Sequence, residues 1–359
     1  MKTQSIGEHL RNIRGFTSGF DYLRYGLAIA VVLWHSCLVS LGDQKAMEIA
    51  DNWSSWFTRP ILPMFFALSG FLVASSLERS SSIPKFLWMR ATRIYPALTA
   101  EVILSAFIIG PIITTLPLTQ YFTDPKFQSY MWNMIGRIRF ELPGVFATAP
   151  MANVVNSSLW TVPFELECYI ILAALGLLKL HKQPKILLLL LLAVILSLSA
   201  YTIIKPENFL YPKANLTGRQ LVIFFVAGVA AYLNRDSIPH SKWLALLCAI
   251  LGAISLRNIE TSYIATIPVT YITVWLGVCQ PKKIAIMKKG DYSYGIYLYA
   301  WPMQQIAQQS GLGATYVANV LISLTLVSVF AAFSWHFIEK PALKYKNIFD
   351  RGLDNRVTT

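Results

Sequence analysis

Length, composition and charge exclude an ordinary soluble protein. The chain has 359 residues, of which 55% are hydrophobic and only 14% are charged, whereas a soluble domain carries about 25% charged residues. Lys and Arg (31) outnumber Asp and Glu (18), which gives a formal charge of +13. No nucleic-acid-binding motif accompanies this basic excess. The composition therefore indicates a membrane protein, and we expect no nucleic-acid partner.

The apolar residues fall into ten blocks, and each block is long enough to be a candidate membrane-spanning helix. The predicted fold class is all-α, a polytopic membrane protein with about ten transmembrane helices. In chain order, the predicted spans lie near 21–41, 58–77, 92–116, 158–179, 185–204, 218–234, 240–256, 261–279, 291–308 and 314–337.

The distribution of basic residues predicts the orientation of these spans. If the N-terminus is cytoplasmic, 22 of the 31 Lys and Arg residues lie on the cytoplasmic side and nine lie outside. The positive-inside rule then places both termini in the cytoplasm. We expect a cytoplasmic segment over 1–20, without a signal peptide, a transmembrane domain over 21–338 and a cytoplasmic tail over 339–359. The external connection near 117–157 is too polar to span and too aromatic for a disordered linker.

The four cysteines predict neither a cross-link nor a metal site. Cys37, Cys168, Cys248 and Cys279 all lie in apolar blocks, at spacings of 131, 80 and 31 residues. These spacings fit neither a disulfide framework nor a zinc site. We expect thiols that pack within the core and no bound metal.

Ionisable residues inside the predicted spans are candidates for function, because a charge in hydrocarbon is costly unless it is paired or solvated. His35 follows Arg24 by eleven residues, so both project from one helix face, about 16 Å apart along the axis. Counting from the outer helix ends places His35 and Glu165 at the same depth, about 10 Å below the external surface. The two can therefore share one cavity. The alternative for His35 is a buried imidazole that a backbone carbonyl satisfies.

Three further residues of the predicted spans carry polar groups. Tyr169 shares a helix face with Glu165, from which it is four residues away. Glu167 points to the opposite side, and we interpret it as structural. Glu101 lies eleven residues after Arg90 on one helix face, where it either lines the same polar path or neutralises a partner in the membrane.

Arg90 and Arg93 form a second candidate site, for an anion. They lie one helical turn apart, an arrangement that suits phosphate groups. The alternative is a simple positive-inside anchor. The segment 68–72 around Ser69 is rich in small residues, so another helix or a thin substrate arm can approach it closely. Helix packing alone would also explain this segment.

The predicted ninth span carries a polar and aromatic stripe. Ser293, Tyr297 and Trp301 recur at every fourth residue, so they lie on one helix face. Such a stripe can line a channel for an elongated ligand, although aromatic belts and ordinary packing give the same pattern.

Taken together, six segments resemble the acyltransferase family 3 of multispanning membrane proteins, in particular its stand-alone sugar O-acetylases. Each segment is short, but the six occur in order and cover nearly the whole chain. They are Arg24-x10-His35, Phe65 to Leu72, Arg90-x2-Arg93-Ile94-Tyr95-Pro96, Ser158-Leu159-Trp160-Thr161-x3-Glu165-x3-Tyr169, Ser293 to Leu298, and Phe337 to Pro341.

The resemblance implies transfer of an acyl group, usually acetyl from cytoplasmic acetyl-CoA, to a hydroxyl of a lipid-linked or exported carbohydrate in the bacterial inner membrane. It implies that His35 is catalytic, with Arg24 as its partner, and that Arg90 and Arg93 lie on the donor side. Membrane lipid is a further expected partner, and no tightly bound cofactor is expected. We expect Glu165 to orient the imidazole, as the acid of a triad does.

Two residues depart from the family pattern. Ala300 stands where the ninth-span motif often has a histidine, so any role of that histidine is absent or supplied elsewhere. Lys340 replaces the arginine of the terminal motif, which loses bidentate binding if the residue contacts phosphate.

Two mechanisms and a second function class stay open. We prefer direct transfer with His35 as general base, and a covalent acyl-histidine relay is the competing mechanism. A proton-coupled transporter or flippase of a sugar-containing substrate would use the same His and Glu residues as a proton relay. A regulatory protein that has lost catalysis is disfavoured because His35, Arg24 and Glu165 are all present. The acceptor hydroxyl and the oligomeric state do not follow from the sequence.

Overall fold

The chain is described here from a computed structural model that covers residues 4–13, 17–52, 54–205, 217–258 and 261–348. In these residues the regular structure is helical and no β-strand occurs, since the extended pairing among them is an isolated bridge between Ser5 and Pro239. The prediction of an all-α protein is confirmed.

The described residues hold ten principal helices, and each coincides with a predicted apolar block. They are α1 (Ser18–Leu41), α2 (Ile61–Glu78), α3 (Ile83–Leu104), α4 (Val162–Leu177), α5 (Pro184–Ile204), α6 (Gly218–Leu233), α7 (Lys242–Ser255), α8 (Thr266–Gly277), α9 (Ser293–Gln309) and α10 (Tyr316–Phe333).

Short helices and turns flank these elements. The short α-helices are Ile6–Asn12, Asp43–Asp51, Ser55–Thr58, Gly110–Ile113, Leu118–Thr123, Pro125–Tyr130, Ala285–Lys289 and Lys340–Ala342. The 3-10 helices are Met131–Ile135, Ser157–Thr161, Leu180–Lys182 and Leu343–Asn347, and π-helical segments occur at Ser105–Ile109 and Ser334–Glu339.

Several of these helices can cross a bilayer, so the chain is a multi-pass membrane protein. Six continuous helical stretches of the described residues are long and apolar enough: Ser18–Leu41, Ser55–Glu78, Ile83–Ile113, Ser157–Leu177, Pro184–Ile204 and Tyr316–Lys346. The helices α6, α7 and α8 are apolar but shorter, and α9 has 17 residues. The count of ten spans and the cytoplasmic position of both termini stay predictions, and residues 349–359 of the expected tail lie outside the described residues.

Helix α3 begins earlier than predicted. It starts at Ile83, whereas the predicted span begins near 92. Pro84 lies in its first turn, where the missing backbone N–H costs no helical hydrogen bond. Arg90 and Arg93 therefore lie within α3 itself.

The tertiary contacts divide the chain into two compact units. Unit 1 comprises the described residues of 1–27, 47–83 and 167–289, and unit 2 those of 28–46, 84–166 and 290–348. Unit 1 contains α2, α5, α6, α7 and α8 with the first part of α1 and the second part of α4. Unit 2 contains α3, α9 and α10 with the second part of α1 and the start of α4.

In unit 1, small residues allow α2 and α6 to pack closely. A Cβ atom at Gly70 would overlap the backbone of Phe225, and one at Gly228 would overlap the backbone of Ala67. The two glycines therefore permit a reciprocal approach of two helix backbones. This packing accounts for Gly70 in the small-residue segment 68–72.

In unit 2, the long connection of 117–157 is an ordered structure. Tyr121 is buried and donates to the carbonyl of Ala106 at 2.7 Å. Phe122 and Phe127 pack at each other's edges with ring centroids 5.2 Å apart. The aromatic content that argued against a disordered linker forms a small local core here.

The cysteines are free thiols. Cys37, Cys168 and Cys248 are buried and Cys279 is half-buried. Among the described residues, no group of three or more His, Cys, Asp or Glu side chains is arranged to hold a metal ion.

Candidate active site

His35 lies buried in unit 2, on the second part of α1. Its side chain meets Trp301 of α9 edge to face, with ring centroids 4.9 Å apart and an interplanar angle of 78°. The Nδ1 atom of His35 is buried and has no hydrogen-bond partner among the described residues. The ring is therefore held by packing, and a nitrogen is left for chemistry.

Gln304 joins α9 to the same turn of α1. Its Nε2 donates to the carbonyl of Val32 at 2.7 Å and to the hydroxyl of Ser36 at 2.8 Å. Both Gln304 and Ser36 are fully buried. The turn that carries His35 is therefore tied to α9 by hydrogen bonds as well as by Trp301.

A proline inside α9 creates a need for a donor, and Asn156 meets it. Pro302 has no backbone N–H to donate to the carbonyl of Leu298, four residues earlier. The Nδ2 of Asn156 donates to that carbonyl at 2.9 Å and to Oε1 of Glu101 at 2.8 Å. One amide thus links α3, α9 and the segment that leads into α4.

Glu101 is a fully buried carboxyl group near the end of α3. Its Oε1 also accepts a hydrogen bond of 2.8 Å from Ser105, the first residue of the π-helical segment Ser105–Ile109. Such single-turn π segments are frequent at functional sites. The structure thus gives Glu101 two neutral hydrogen-bond donors, and among the described residues it forms no ion pair.

Glu165 lies in the first turn of α4, where the helix dipole favours a carboxylate. The hydroxyl of Tyr297 lies within range of its charge. Tyr297 is held by the 3-10 turn Ser157–Thr161 that precedes α4. Its hydroxyl lies 2.7 Å from that of Thr161 and donates to the carbonyl of Ser158 at 3.1 Å.

The predicted pair of His35 and Glu165 is not joined by a hydrogen bond among the described residues. Two residues of the stripe on α9 relate to this pair: the hydroxyl of Tyr297 lies within range of the charge of Glu165, and the ring of Trp301 meets that of His35. Unit 2 therefore brings both predicted residues to one face of α9. Their action as a unit stays a prediction.

Arg93 is held by two carboxylates in unit 2. It forms ion pairs with Asp291 at 2.7 Å and with Glu339 at 3.6 Å, and its guanidinium lies 5.8 Å from the ring centroid of Tyr294. Ser293, which begins α9, donates to Asp291 at 2.5 Å. The predicted donor residue Arg93 and the stripe residue Ser293 therefore lie in one charged cluster, and Arg90 lies one turn before Arg93 on α3.

Three predicted residues belong to unit 1. Arg24 pairs with Asp21 at 2.5 Å, and Asp21 pairs with Lys283 at 2.5 Å. Tyr169 is buried on α4, with its ring centroid 6.3 Å from that of Phe225. Ser69 is half-buried on α2.

Two residues near the start of α4 complete the predicted set. Trp160, in unit 2, is half-buried in the 3-10 turn and meets Phe164 edge to face at 6.1 Å. Glu167, in unit 1, forms a 3.1 Å ion pair with Arg219 of α6. Glu167 is therefore an interhelical partner, in keeping with its interpretation as structural.

Sequence reasoning missed the neutral amides, Asn156 and Gln304, because it weighed charged, hydroxyl and aromatic side chains and left amides aside. A usable signal was present. Pro302 within an apolar block leaves a carbonyl without its helical donor, and neighbouring segments commonly satisfy such a carbonyl in membrane helices. Gln304 and Gln305, two polar residues just after Pro302 in the ninth span, mark the same region.

Comparison with known proteins gives a family for this arrangement. The sequence matches the family model Acyl_transf_3, described as an acyltransferase domain, over residues 17–338. It is 29% identical over 289 residues to an O-acetyl transferase of Shigella phage Sf6, covering 77% of this chain and 82% of the relative. It is 28% identical over 368 residues to nodulation protein 10 of Rhizobium leguminosarum bv. viciae, covering 95% and 97%. No solved structure matches the chain.

Proposed function

The chain belongs to the acyltransferase 3 family, and on that basis we propose that it transfers an acyl group from cytoplasmic acyl-CoA to a carbohydrate hydroxyl. We infer that the acyl group is acetyl, because a relative named an O-acetyl transferase is similar over most of this chain. The acceptor is a lipid-linked or exported carbohydrate, as the sequence motifs imply. Acyl-CoA is a substrate and not a resident cofactor.

The buried imidazole of His35 is the observation that carries the mechanism. As a general base, it takes the proton of the acceptor hydroxyl while the oxygen attacks the thioester carbonyl. The new C–O bond forms and the C–S bond breaks, and the departing thiolate of CoA takes up the proton. A tight apolar setting beside Trp301 excludes water, which would otherwise hydrolyse the donor.

Glu165 and Tyr297 support the acceptor side of this reaction. Tyr297 has a hydroxyl within reach of Thr161 and Ser158, and Glu165 lies within charge range of it. We place the sugar along the stripe of α9 from Ser293 to Trp301, where hydroxyl and aromatic groups alternate with apolar ones. Trp160 and Tyr169 are further acceptor-binding residues in this proposal, and Glu165 acts with His35 once substrate is bound.

Basic residues bind the donor at the cytoplasmic side. Arg90 and Arg93 suit the phosphates of CoA. Arg24 is the proposed partner of His35 on α1. Ser69 lies in the small-residue segment that we propose admits the pantetheine arm. We propose ten spans in a bacterial cytoplasmic membrane, with both termini cytoplasmic. The transmembrane domain is 21–338, the segments 1–20 and 339–359 are cytoplasmic, and the connection 117–157 is external.

Mass spectrometry of surface polysaccharide from cells with and without the gene tests the proposal. We expect a mass gain of one acetyl group on each substituted sugar when the wild-type gene is present. Cells that produce the His35→Ala protein at equal level should lack this gain. Polysaccharide that is exported in a gene-dependent manner but carries no ester would favour a flippase or transporter instead.

A further inference from the structure

We propose that Gln304 is a positioning residue for His35. The amide of Gln304 donates to Val32 and Ser36 and so fixes the helical turn from which His35 projects. This inference rests on the proposed function, in which His35 is the base of the acyl transfer.

The register of the two helices supports this role. Gln304 bonds to Val32 and Ser36 of α1, which lie four residues apart and therefore share a face. His35 lies beside that face, and its ring meets Trp301, one turn before Gln304 on α9. Two successive turns of α9 thus grip one turn of α1.

The imidazole needs such a device because the usual one is missing. A catalytic histidine is commonly oriented by a hydrogen bond from its second ring nitrogen to a carboxylate or carbonyl. Among the described residues, Nδ1 of His35 has no such partner. Its direction therefore depends on the ring edge of Trp301 and on the position of the backbone of α1.

The backbone of Gln304 is itself held in place, so the residue can fix the position of α1. Its backbone carbonyl accepts a 3.0 Å hydrogen bond from Nδ2 of Asn319, a fully buried residue of α10. The side chain of Trp301 is also fixed, because its Nε1 donates to the carbonyl of Val154 at 3.1 Å. The grip on α1 is therefore tied to α10 and to the segment before α4.

The neighbouring residue provides a matched control. Gln305 is also fully buried, and its Nε2 also donates to two acceptors, the carbonyls of Met151 and Val154 at 2.8 Å each. Neither acceptor lies on α1. The side-chain amides of Gln304 and Gln305 thus each donate two hydrogen bonds, and only those of Gln304 reach the turn that carries His35.

The test compares Gln304→Met with Gln305→Met, because methionine keeps the length and volume of glutamine without its amide. The purified full-length proteins are placed in liposomes with radiolabelled acetyl-CoA and a membrane glycolipid extract, and labelled ester is counted. We expect Gln304→Met to lower kcat by at least about tenfold, since small displacements of a reacting group cost up to about 100-fold. The KM for acetyl-CoA should change by less than about twofold.

We expect Gln305→Met to keep kcat within about threefold of wild type, although it loses as many hydrogen bonds. Equal losses of kcat in the two variants, or full kcat in Gln304→Met, would overturn the positioning role. An effect confined to the KM for acetyl-CoA would overturn it as well.

A second variant covers the case in which Gln304→Met fails to fold. Ser36→Ala removes one acceptor of the Gln304 amide through the loss of a single oxygen atom, and we expect a fall in kcat of at least about threefold. Unchanged kcat in Ser36→Ala would then count against the inference. Failure of the proposed function is seen separately, because wild type would then form no labelled ester, and failure of the role of His35 would leave His35→Ala as active as wild type.

Discussion

Asn156 replaces the backbone donor that Pro302 removes from α9, by donating to the carbonyl of Leu298 at 2.9 Å. The same Nδ2 group donates to Glu101 at 2.8 Å, so the proline, the amide and the buried carboxyl are linked through one side chain. Pro302 directly follows Trp301 in the chain, which places this group of residues close to His35.

This relationship predicts that Asn156 and Pro302 are energetically coupled. Asn156→Leu should lower the free energy of unfolding by about 1–3 kcal/mol for each buried group that it leaves without a donor. In the Pro302→Ala background, the new alanine restores a backbone N–H for the carbonyl of Leu298, so the same change should cost less. Chemical denaturation of the four proteins in detergent measures the difference, and strict additivity would contradict the coupling.

The charged cluster around Arg93 predicts a structural role beside its donor role. Arg93→Ala removes a cation that pairs with Asp291 and with the buried Glu339, and breaking a buried pair costs about 3 kcal/mol or more. Arg11→Ala is the control, because its ion pair with Asp236 is exposed on both sides and is worth at most about 1 kcal/mol. Equal destabilisation of the two proteins in detergent would argue against the cluster.

Arg90 tests the donor site directly. We expect Arg90→Ala to weaken binding of acetyl-CoA, because it removes one cation from the proposed phosphate site. Equilibrium binding of radiolabelled acetyl-CoA gives the dissociation constant. An unchanged constant would remove Arg90 from the donor site.

Glu165 is predicted to act together with His35. Glu165→Gln should keep the fold, since the amide is nearly isosteric, and reduce turnover by at least about tenfold. The double variant with His35→Ala should be little worse than His35→Ala alone, because residues that work as a unit are not additive. Full turnover in Glu165→Gln would return Glu165 to a packing or acceptor-binding role beside Tyr297.

The N-terminal helix Ile6–Asn12 should respond to acid. His9 stacks on His240, which precedes α7, with ring centroids 4.2 Å apart, and burial, followed by the charge of His9, lowers the pKa of His240 below its usual 6.5. The unfolded state then binds more protons, so stability is full above about pH 6.5 and falls as the pH drops below it. The protection of residues 6–12 against hydrogen exchange, taken relative to the intrinsic exchange rate at each pH, should fall between pH 7 and 5, and His240→Gln should flatten that response. Protection that does not depend on pH in the wild type would contradict it.

The architecture was largely predictable from the sequence, because an apolar block as long as a bilayer is thick predicts a helix at that position in the chain. All ten blocks are helices, and the resemblance to the acyltransferase 3 family is confirmed. The predicted start of α3 was wrong by nine residues. The helix begins at Ile83, but its first turns contain Lys85, Arg90 and Arg93 and are therefore too polar to be recognised as part of an apolar block.

The partners of the site residues were not predictable in the same way. Arg93 and Asp291 are 198 residues apart, and Gln304 and Val32 are 272 apart, so no spacing rule joins them. Residue counting along antiparallel spans brought His35 and Glu165 to one depth, but it could not show that the ring of Trp301 packs on that of His35. The orientation of side chains across helices depends on packing, which the periodicity of a single helix does not contain.

Transfer of label by the purified protein tests the central claim most directly. Liposomes that contain wild-type or His35→Ala protein receive acetyl-CoA labelled in the acetyl group together with a membrane glycolipid extract, and free CoA and labelled ester are measured in the same sample. We predict that wild type releases one CoA for each ester formed and that His35→Ala forms at least about 100-fold less, as expected for loss of a general base. More than about a tenth of wild-type ester formation in His35→Ala would contradict the assignment of His35, and no ester with wild type would contradict acyl transfer itself.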